Sequence, residues 1–175
     1  FTNPAGRAWW ADGIRTALLD YGVTAVWSDN NEFEIWDEDA LCAGDGRPFA
    51  QSLARPAQPL LMTKLAHEAQ AANEPGVRPY CITRGGAAGL WRYGQTWSGD
   101  NATAWKTLRF NLAQGLNMVL SGMYNIGHDV GGFHGPKPTP ELLVRFAEFC
   151  CLWPRFVMNS WNDDGGTTTP WMYPE

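Results

Sequence analysis

Five separate short apolar runs in this 175-residue chain end on groups that can do chemistry: Asp29, Arg84, Asp100, Asp129 and Asn159. Beside them stand the aromatic residues Trp27, Trp97, Phe133 and Trp161. Carboxylates and amides hydrogen-bond hydroxyls, and indole faces lie flat on C–H surfaces. Together they suit a sugar. The densest stretch is WSDNNEFEIWDED, from Trp27 to Asp39. A surface loop has no need of its aromatics. A core strand would not tolerate Asp29, Asn30, Asn31, Glu32 and Glu34 unpaired, because each such burial costs several kcal/mol. The stretch reads as the mouth of a pocket, where a strand ends.

The elements that must hold these groups follow from periodicity. Thr2-Asn3-Pro4 is a helix start, with Trp10, Ile14, Ala17, Leu18 and Tyr21 in 3.6 phase and Gly22 as the stop. A strand is expected over Thr24–Trp27, and a loop over Cys42–Gln58. A helix is expected over about 60–72, with Leu61, Leu65 and Ala69 on one face. Further strands are expected over Pro79–Thr83, Tyr93–Trp97, Gly122–Ile126 and Arg155–Met158. Asn101 is expected to cap a helix carrying Trp105, Leu108, Leu112 and Gly115 in phase. Thr139-Pro140-Glu141 is expected to start another, with Leu142, Phe146, Phe149 and Trp153 in phase. Helix and strand alternate, which predicts an α/β fold with a parallel sheet and covering helices. An α/β barrel and an open doubly wound sheet both fit. In either, strand C-termini share one face, and ligands bind there.

Composition removes other classes. A net charge of -5 argues against a nucleic-acid partner, which needs a basic face. No apolar run reaches the roughly 20 residues of a membrane span. No signal peptide is expected, and a chain opening on Phe1 is expected to be processed or cut from something longer. Cys42, Cys81, Cys150 and Cys151 form no C-x-x-C pair and read as buried free thiols, which points to a reducing, cytoplasmic compartment, with secretion as the alternative. Three histidines, His67, His128 and His134, are too few for a His-rich zinc site, so no metal and no cofactor is expected. His128 and His134 read as loop residues. Trp9, Trp10, Trp105 and Trp153 read as core.

At these residues the sequence resembles glycoside hydrolase family 31, the retaining α-glucosidases, α-xylosidases and α-transglucosylases. Trp27-Ser28-Asp29-Asn30-Asn31-Glu32 is similar to the family's W-x-D-M-N-E motif, with Asn30 where Met is common. Arg84 followed by Trp97-Ser98-Gly99-Asp100 resembles its arginine and its W-[ST]-G-D motif. Gly127-His128-Asp129-Val130-Gly131-Gly132-Phe133 resembles its G-x-D-I-G-G-F loop. Phe1-Thr2-Asn3-Pro4 with Trp9-Trp10, and Pro170-Trp171-Met172-Tyr173-Pro174-Glu175, are similar to flanking segments. The motifs occur in the family's order and span nearly the whole chain.

The resemblance implies part of a (β/α)8 TIM barrel, about strands 4–8. Residues 1–175 would then be the C-terminal part of a catalytic barrel whose early strands and flanking β domains lie outside this chain, since a whole barrel needs about 250 residues. It implies Asp29 as nucleophile and Asp100 as acid/base, with Arg84, Asp129, Trp27, Trp97, Asn159, Trp161 and Phe133 binding substrate. Glu32 would orient the Asp29 loop. Asn159 stands where the family usually has a histidine, which leaves the choice of sugar open. The implied partners are an oligosaccharide or α-glycoside and the remainder of the catalytic chain.

The same residues have plainer readings. Asp29-Asn30-Asn31 also reads as a turn, Ser98-Gly99-Asp100-Asn101 as a turn and helix cap, Asp129 as a turn before two glycines, and Arg84 as a salt-bridge partner. Glu34 to Asp39 reads as a solvated acidic face. Two rival functions fit fragments of the pattern. A two-metal phosphoesterase would use Asp100 and Asp129, but lacks an early D-x-H. A non-catalytic glycan-binding module would need the aromatics but no matched pair of aspartates. An α-transglucosylase would use the same site.

Overall fold

The computed structural model describes residues 1–173; Pro174 and Glu175, the end of one motif quoted above, lie outside the described residues. The chain divides into two compact units, Phe1–Gln95 and a second that begins at Thr96.

In the first unit, helix α1 (Pro4–Ala17) starts as expected: Asn3 accepts from the Ala5 amide at 2.9 Å and proline opens the first turn. It ends earlier than Gly22. A short 3-10 turn over Leu19–Tyr21 follows, and Gly22, at φ 80°, closes that turn. Tyr21 consequently points to solvent, at 81% exposure. Strand β1 (Ala25–Ser28) comes next. The segment expected to be loop contains a hairpin of β2 (Leu41–Cys42) and β3 (Phe49–Ala50), then the one-turn helix α2 (Gln51–Ala54) and the start of α3 (Ala57–Asn73). The buried line of α3 is Gln58, Pro59, Thr63, Ala66 and Gln70; Leu61, Leu65 and Ala69 flank it, half-buried. Polar residues sit inside because each finds a partner: Thr63 donates to the Pro59 carbonyl and Gln70 to Cys81 Sγ.

Strand β4 (Tyr80–Thr83) pairs with β1 in parallel, Ala25 opposite Tyr80 through Ser28 opposite Thr83. Gln95 adds a parallel bridge to Ile82. The core is Ile14, Leu19, Val26, Ala66 and Cys81, with Trp10, Leu18 and Ala69 against it.

In the second unit, β5 (Thr96–Trp97), β6 (Ile126–Asp129) and β8 (Arg155–Val157) form a parallel sheet with β6 in the middle. Strand β6 begins where the sequence pattern expected the strand to end. Residues 121–122 form the turn at the end of helix α4 (Trp105–Leu120), with Gly122 at φ 87° and the Met123 amide bonded to the Met118 carbonyl, and the Asn125 carbonyl accepts from the Thr96 amide of β5. Asn101 does not cap α4; Ala104 holds the cap position, and Asn101 Nδ2 donates to Asn111 Oδ1 at 2.7 Å. The buried face of α4 is Thr107, Asn111 and Gly115, while Trp105 and Leu112 lie outside at about half exposure. Helix α5 (Pro140–Cys150) is capped by Thr139, whose Oγ1 accepts from Leu142 N, and buries Leu142, Leu143, Phe146 and Cys150 against Val130. Strands β7 (His134–Gly135) and β9 (Trp161–Asn162) form a separate parallel pair.

Several side chains depart from expectation. Trp9 is 73% exposed, and Cys151, at the end of α5, is exposed. His128 is not a loop residue but a fully buried strand residue, and His134 lies in β7. The thiols of Cys42, Cys81 and Cys150 are buried and free. Burial pushes Cys81 up to about 11 against the opposing hydrogen bond from Gln70.

Candidate active site

In the first unit the sequence places the acid-rich stretch immediately after β1, and the parallel pairing brings the end of β4 beside it. The Arg84 amide bonds the Ser28 carbonyl at 3.0 Å. That register sets Arg84 against the post-β1 turn. Its Nη1 lies 3.2 Å from Asp29 Oδ1, its Nε lies 2.5 Å from Glu32 Oε1, and its Nη2 donates to Glu32 Oε2 at 3.3 Å. Asn30 Oδ1 accepts from Nη2 as well. One guanidinium therefore joins Asp29, Asn30 and Glu32. A planar fork is suited to this, since it meets several oxygens in fixed directions.

The turn itself is built for that grouping. Asn30 and Phe33 take left-handed φ values of 50° and 54°. Asn31 is buried and ties the two strand ends: its Nδ2 donates to Thr83 Oγ1 at 2.7 Å, and its Oδ1 accepts from Gly85 N at 2.7 Å. A Cβ on Gly85 would stand 2.7 Å from the Asn31 carbonyl oxygen, so the close approach requires glycine. Arg55 donates to the Glu32 carbonyl and pairs with Glu34, and Gln51 donates to the Phe33 carbonyl. Burial pushes the Glu32 carboxyl up, but the hydrogen bond and charge of Arg84 outweigh it and hold the group below the usual carboxylate range. A cavity of about 390 Å³ is lined by Asp29 together with a mainly apolar wall of Trp9, Trp10, Ile14, Val26, Trp27 and Met62. Residues Glu34 to Asp39 are exposed, as a solvated acidic face should be.

In the second unit Asp100 follows β5, exposed, with Gly99 before it at φ 77°. Its carbonyl accepts from His134 Nδ1 at 2.7 Å, which fixes that nitrogen as the protonated one. The Phe133 amide donates to the Asn101 carbonyl and the Thr103 amide to the His134 carbonyl, so Ala102 forms an isolated parallel bridge with His134. The Trp161 amide bonds the Phe133 carbonyl at 2.7 Å, which brings those two aromatic residues together; Trp161 is 71% exposed and Phe133 half-buried. Asn159 lies just past β8, half-buried.

Trp97 and Asp129 are buried, at 4% and 3% exposure. Arg155 comes to both: its Nη1 and Nη2 stand 3.3 and 3.5 Å from Asp129 Oδ1, and its Cζ lies 5.5 Å from the Trp97 ring centroid. His128, on the opposite side of β6, stacks on Phe149 with centroids 5.4 Å apart and meets the edge of Trp153 at 5.1 Å. Burial, then the charge of Arg155, pushes His128 down to about 4.

The structure thus gathers Asp29, Arg84 and Glu32 in one unit, and Asp129 with Trp97, and Phe133 with Trp161, in the other. Three neighbours were absent from the sequence expectations: Arg155, His134 and Asn31. Arg155 had a visible signal, a charge inside the apolar run Pro154–Val157. His134 had none, since it acts on a backbone carbonyl that only the strand pairing brings near; Asn31 stands in the quoted motif, but its bonds to Thr83 and Gly85 depend on the β1–β4 pairing.

The profile of the glycosyl hydrolases family 31 TIM-barrel domain matches residues 1–175. Alpha-glucosidase 2 of Bacillus thermoamyloliquefaciens is 30% identical over 162 residues, 89% of this chain and 20% of that protein. Neutral alpha-glucosidase AB of Sus scrofa is 31% identical over 181 aligned positions, 99% of this chain and 19% of that protein. The chain therefore spans about a fifth of the length of the curated relatives it matches. Among solved structures, the endoplasmic-reticulum glucosidase II complex of catalytic subunit and regulatory-subunit binding domain superposes with a TM-score of 0.83 at 26% identity, over 97% of this chain and 19% of that one. A family 31 dextranase of Flavobacterium johnsoniae complexed with glucose shares the fold, with a TM-score of 0.79 at 22% identity, over 96% of this chain and 22% of that one. On this match, over its whole length, the chain belongs to the TIM-barrel domain of glycosyl hydrolases family 31.

Proposed function

We propose that this chain is the part from about the fourth to the eighth strand of a larger catalytic barrel, and that the whole protein is a retaining α-glycosidase acting on terminal α-glucosyl-type linkages. The observation that carries the reading is the Asp29–Arg84–Glu32 grouping at the ends of two adjacent parallel strands, where family 31 chemistry would need a held nucleophile. Relatives named α-glucosidases support the substrate class.

In this reading Asp29 attacks C1 of the sugar and Asp100 gives its proton to the leaving oxygen. The glycosidic C–O bond breaks as the Asp29 ester forms. Asp100, now a carboxylate, takes a proton from water, the water oxygen attacks C1, and the ester bond to Asp29 breaks. The product keeps its α configuration, and both carboxyls return to their starting state. The mechanism requires the two carboxyl groups about 5–5.5 Å apart. Asp129 accepts from sugar hydroxyls, helped by Arg84 and Asn159. Trp27, Trp97, Phe133 and Trp161 supply apolar faces. Glu32 holds Arg84, and through it the Asp29 turn.

The test is release of 4-nitrophenol from 4-nitrophenyl α-glycosides by the full-length protein, with the first-formed anomer followed by NMR. Release with an α product supports the reading. A first-formed β product would contradict retention. Binding of glycans with no release from any α-glycoside would make the protein a glycan-binding module, and transfer to an added sugar in preference to water would make it a transglucosylase.

A further inference from the structure

We infer that Arg155 is the positioning residue of Asp129, held in a slot formed by Trp97 and Gly127. The inference rests on the reading of Asp129 as the carboxylate that accepts from sugar hydroxyls. Its basis is the register of three parallel strands. Trp97 lies opposite Gly127, and Gly127 opposite Arg155, so the three form one row across β5, β6 and β8. Successive side chains of a strand alternate between faces. Asp129 therefore shares the face of Gly127, and His128 takes the other, against Phe149 and Trp153.

The middle of the row carries no side chain, and none would fit. A Cβ on Gly127 would stand 2.2 Å from the Arg155 carbonyl oxygen and 2.5 Å from the Arg155 Cβ. The space left open lets the guanidinium reach the Trp97 ring, at 5.5 Å from its centroid, a cation–π distance. From there both terminal nitrogens reach Asp129 Oδ1. The two side chains are almost wholly buried, at 1% and 2% exposure.

Stability alone does not account for this arrangement. A buried ion pair often contributes no more than well-packed apolar residues of similar volume. An arginine in an apolar strand, stacked on one neighbour and admitted by a glycine at another, instead fixes the direction of one carboxylate. A carboxylate accepts up to about four hydrogen bonds, so pairing with Arg155 does not by itself exclude a hydroxyl. Lysine would keep the charge but not the planar fork or the stack.

The experiment uses the full-length protein carrying Arg155→Met, Arg155→Lys, Asp129→Asn, or Arg155→Met with Asp129→Asn. Turnover is measured on a 4-nitrophenyl α-glycoside and on its monodeoxy analogues. The hydroxyl held by Asp129 is the one whose removal makes Asp129→Asn least harmful. Arg155→Met should lower kcat/KM on the parent glycoside by about tenfold to a hundredfold, the worth of a charge-assisted hydrogen bond. On the analogue lacking that hydroxyl the factor should shrink towards one. Arg155→Lys should fall between, and the double variant should match Asp129→Asn alone. Equal loss on parent and analogue would overturn the inference, as would a double variant worse than Asp129→Asn. If the single Arg155 variants fail to fold, the double variant decides: activity equal to Asp129→Asn supports the positioning role, and lower activity or failure to fold overturns it. Absence of turnover in the wild type would instead remove the glycosidase reading itself, and the inference with it.

Discussion

Glu32 grips Arg84 from the side opposite Asp29, with Oε1 at 2.5 Å from Nε and Oε2 at 3.3 Å from Nη2. Asp29 Oδ1 lies 3.2 Å from Nη1 of the same guanidinium. The arginine is thus fixed by one carboxylate and presented to the other. Glu32→Gln keeps the shape of the side chain and removes its charge. The expected result is a loss in kcat of roughly tenfold to a hundredfold, because a displacement of about 1 Å at a reacting group costs that much. Steady-state kinetics on an aryl α-glycoside, with a thermal melt as the folding control, checks it.

The same contact has a pH signature in stability. The folded-state carboxyl of Glu32 sits below its ordinary value, so it contributes stability above the unfolded range near about 4.3. That contribution is lost as pH falls through the lower folded value. Urea unfolding of wild type and Glu32→Gln below pH 5 should show the wild type losing more stability than the variant as acid is added.

His128 acts in a higher window. Its folded value is about 4, against about 6.5 unfolded, so the unfolded chain takes up a proton first. Stability is complete above about pH 6.5 and declines until about pH 4, by at most about 3 kcal/mol. His128→Asn should flatten that slope while lowering stability at pH 7 through lost contact with Phe149 and Trp153. Unfolding curves at pH 7, 5.5 and 4.5 measure both effects.

His134 donates from Nδ1 to the backbone carbonyl of Asp100. His134→Leu should disturb the loop of Asp100, the proposed acid/base, and slow glycosides with poor leaving groups by about tenfold, while sparing glycosyl fluorides, which need no proton. His134→Asn should recover most of the loss, since its Nδ2–H can occupy the place of the ring N–H. Asp100→Ala should show the same leaving-group dependence more steeply. Rates across a series of phenols and the fluoride check both.

The sequence made some parts of this molecule legible and hid others for physical reasons. Caps and strand ends were local: Asn3-Pro4, Thr139-Pro140 and the close of β1 at Ser28 lie where short-range chemistry put them. Leu61, Leu65 and Ala69 share a half-buried face of α3, but the buried line beside it is not apolar enough to stand out, because Thr63 and Gln70 are buried with partners supplied by Pro59 and Cys81. Strand β6 starts later than residues 122–125 suggest, because Gly122 takes the left-handed φ that ends α4. Asn101 looked like a cap, but its side chain is engaged by Asn111. The motif residues around Asp29 and Arg84 were legible individually; that Glu32 shares the guanidinium depends on the β1–β4 register. Asp129 was legible as a motif residue, but its pairing with Arg155, a charge in an apolar run, depends on the β6–β8 register.

As the proposed nucleophile, Asp29 becomes covalently bonded to the sugar during turnover. Trapping the glycosyl-enzyme of the full-length protein with a 5-fluoro-α-glycosyl fluoride, and mapping the labelled peptide by mass spectrometry, tests this bond. The expected result is one added glycosyl group, on Asp29, with loss of activity in proportion to labelling. Label on another carboxylate, or full turnover in an Asp29→Ala variant, would contradict it.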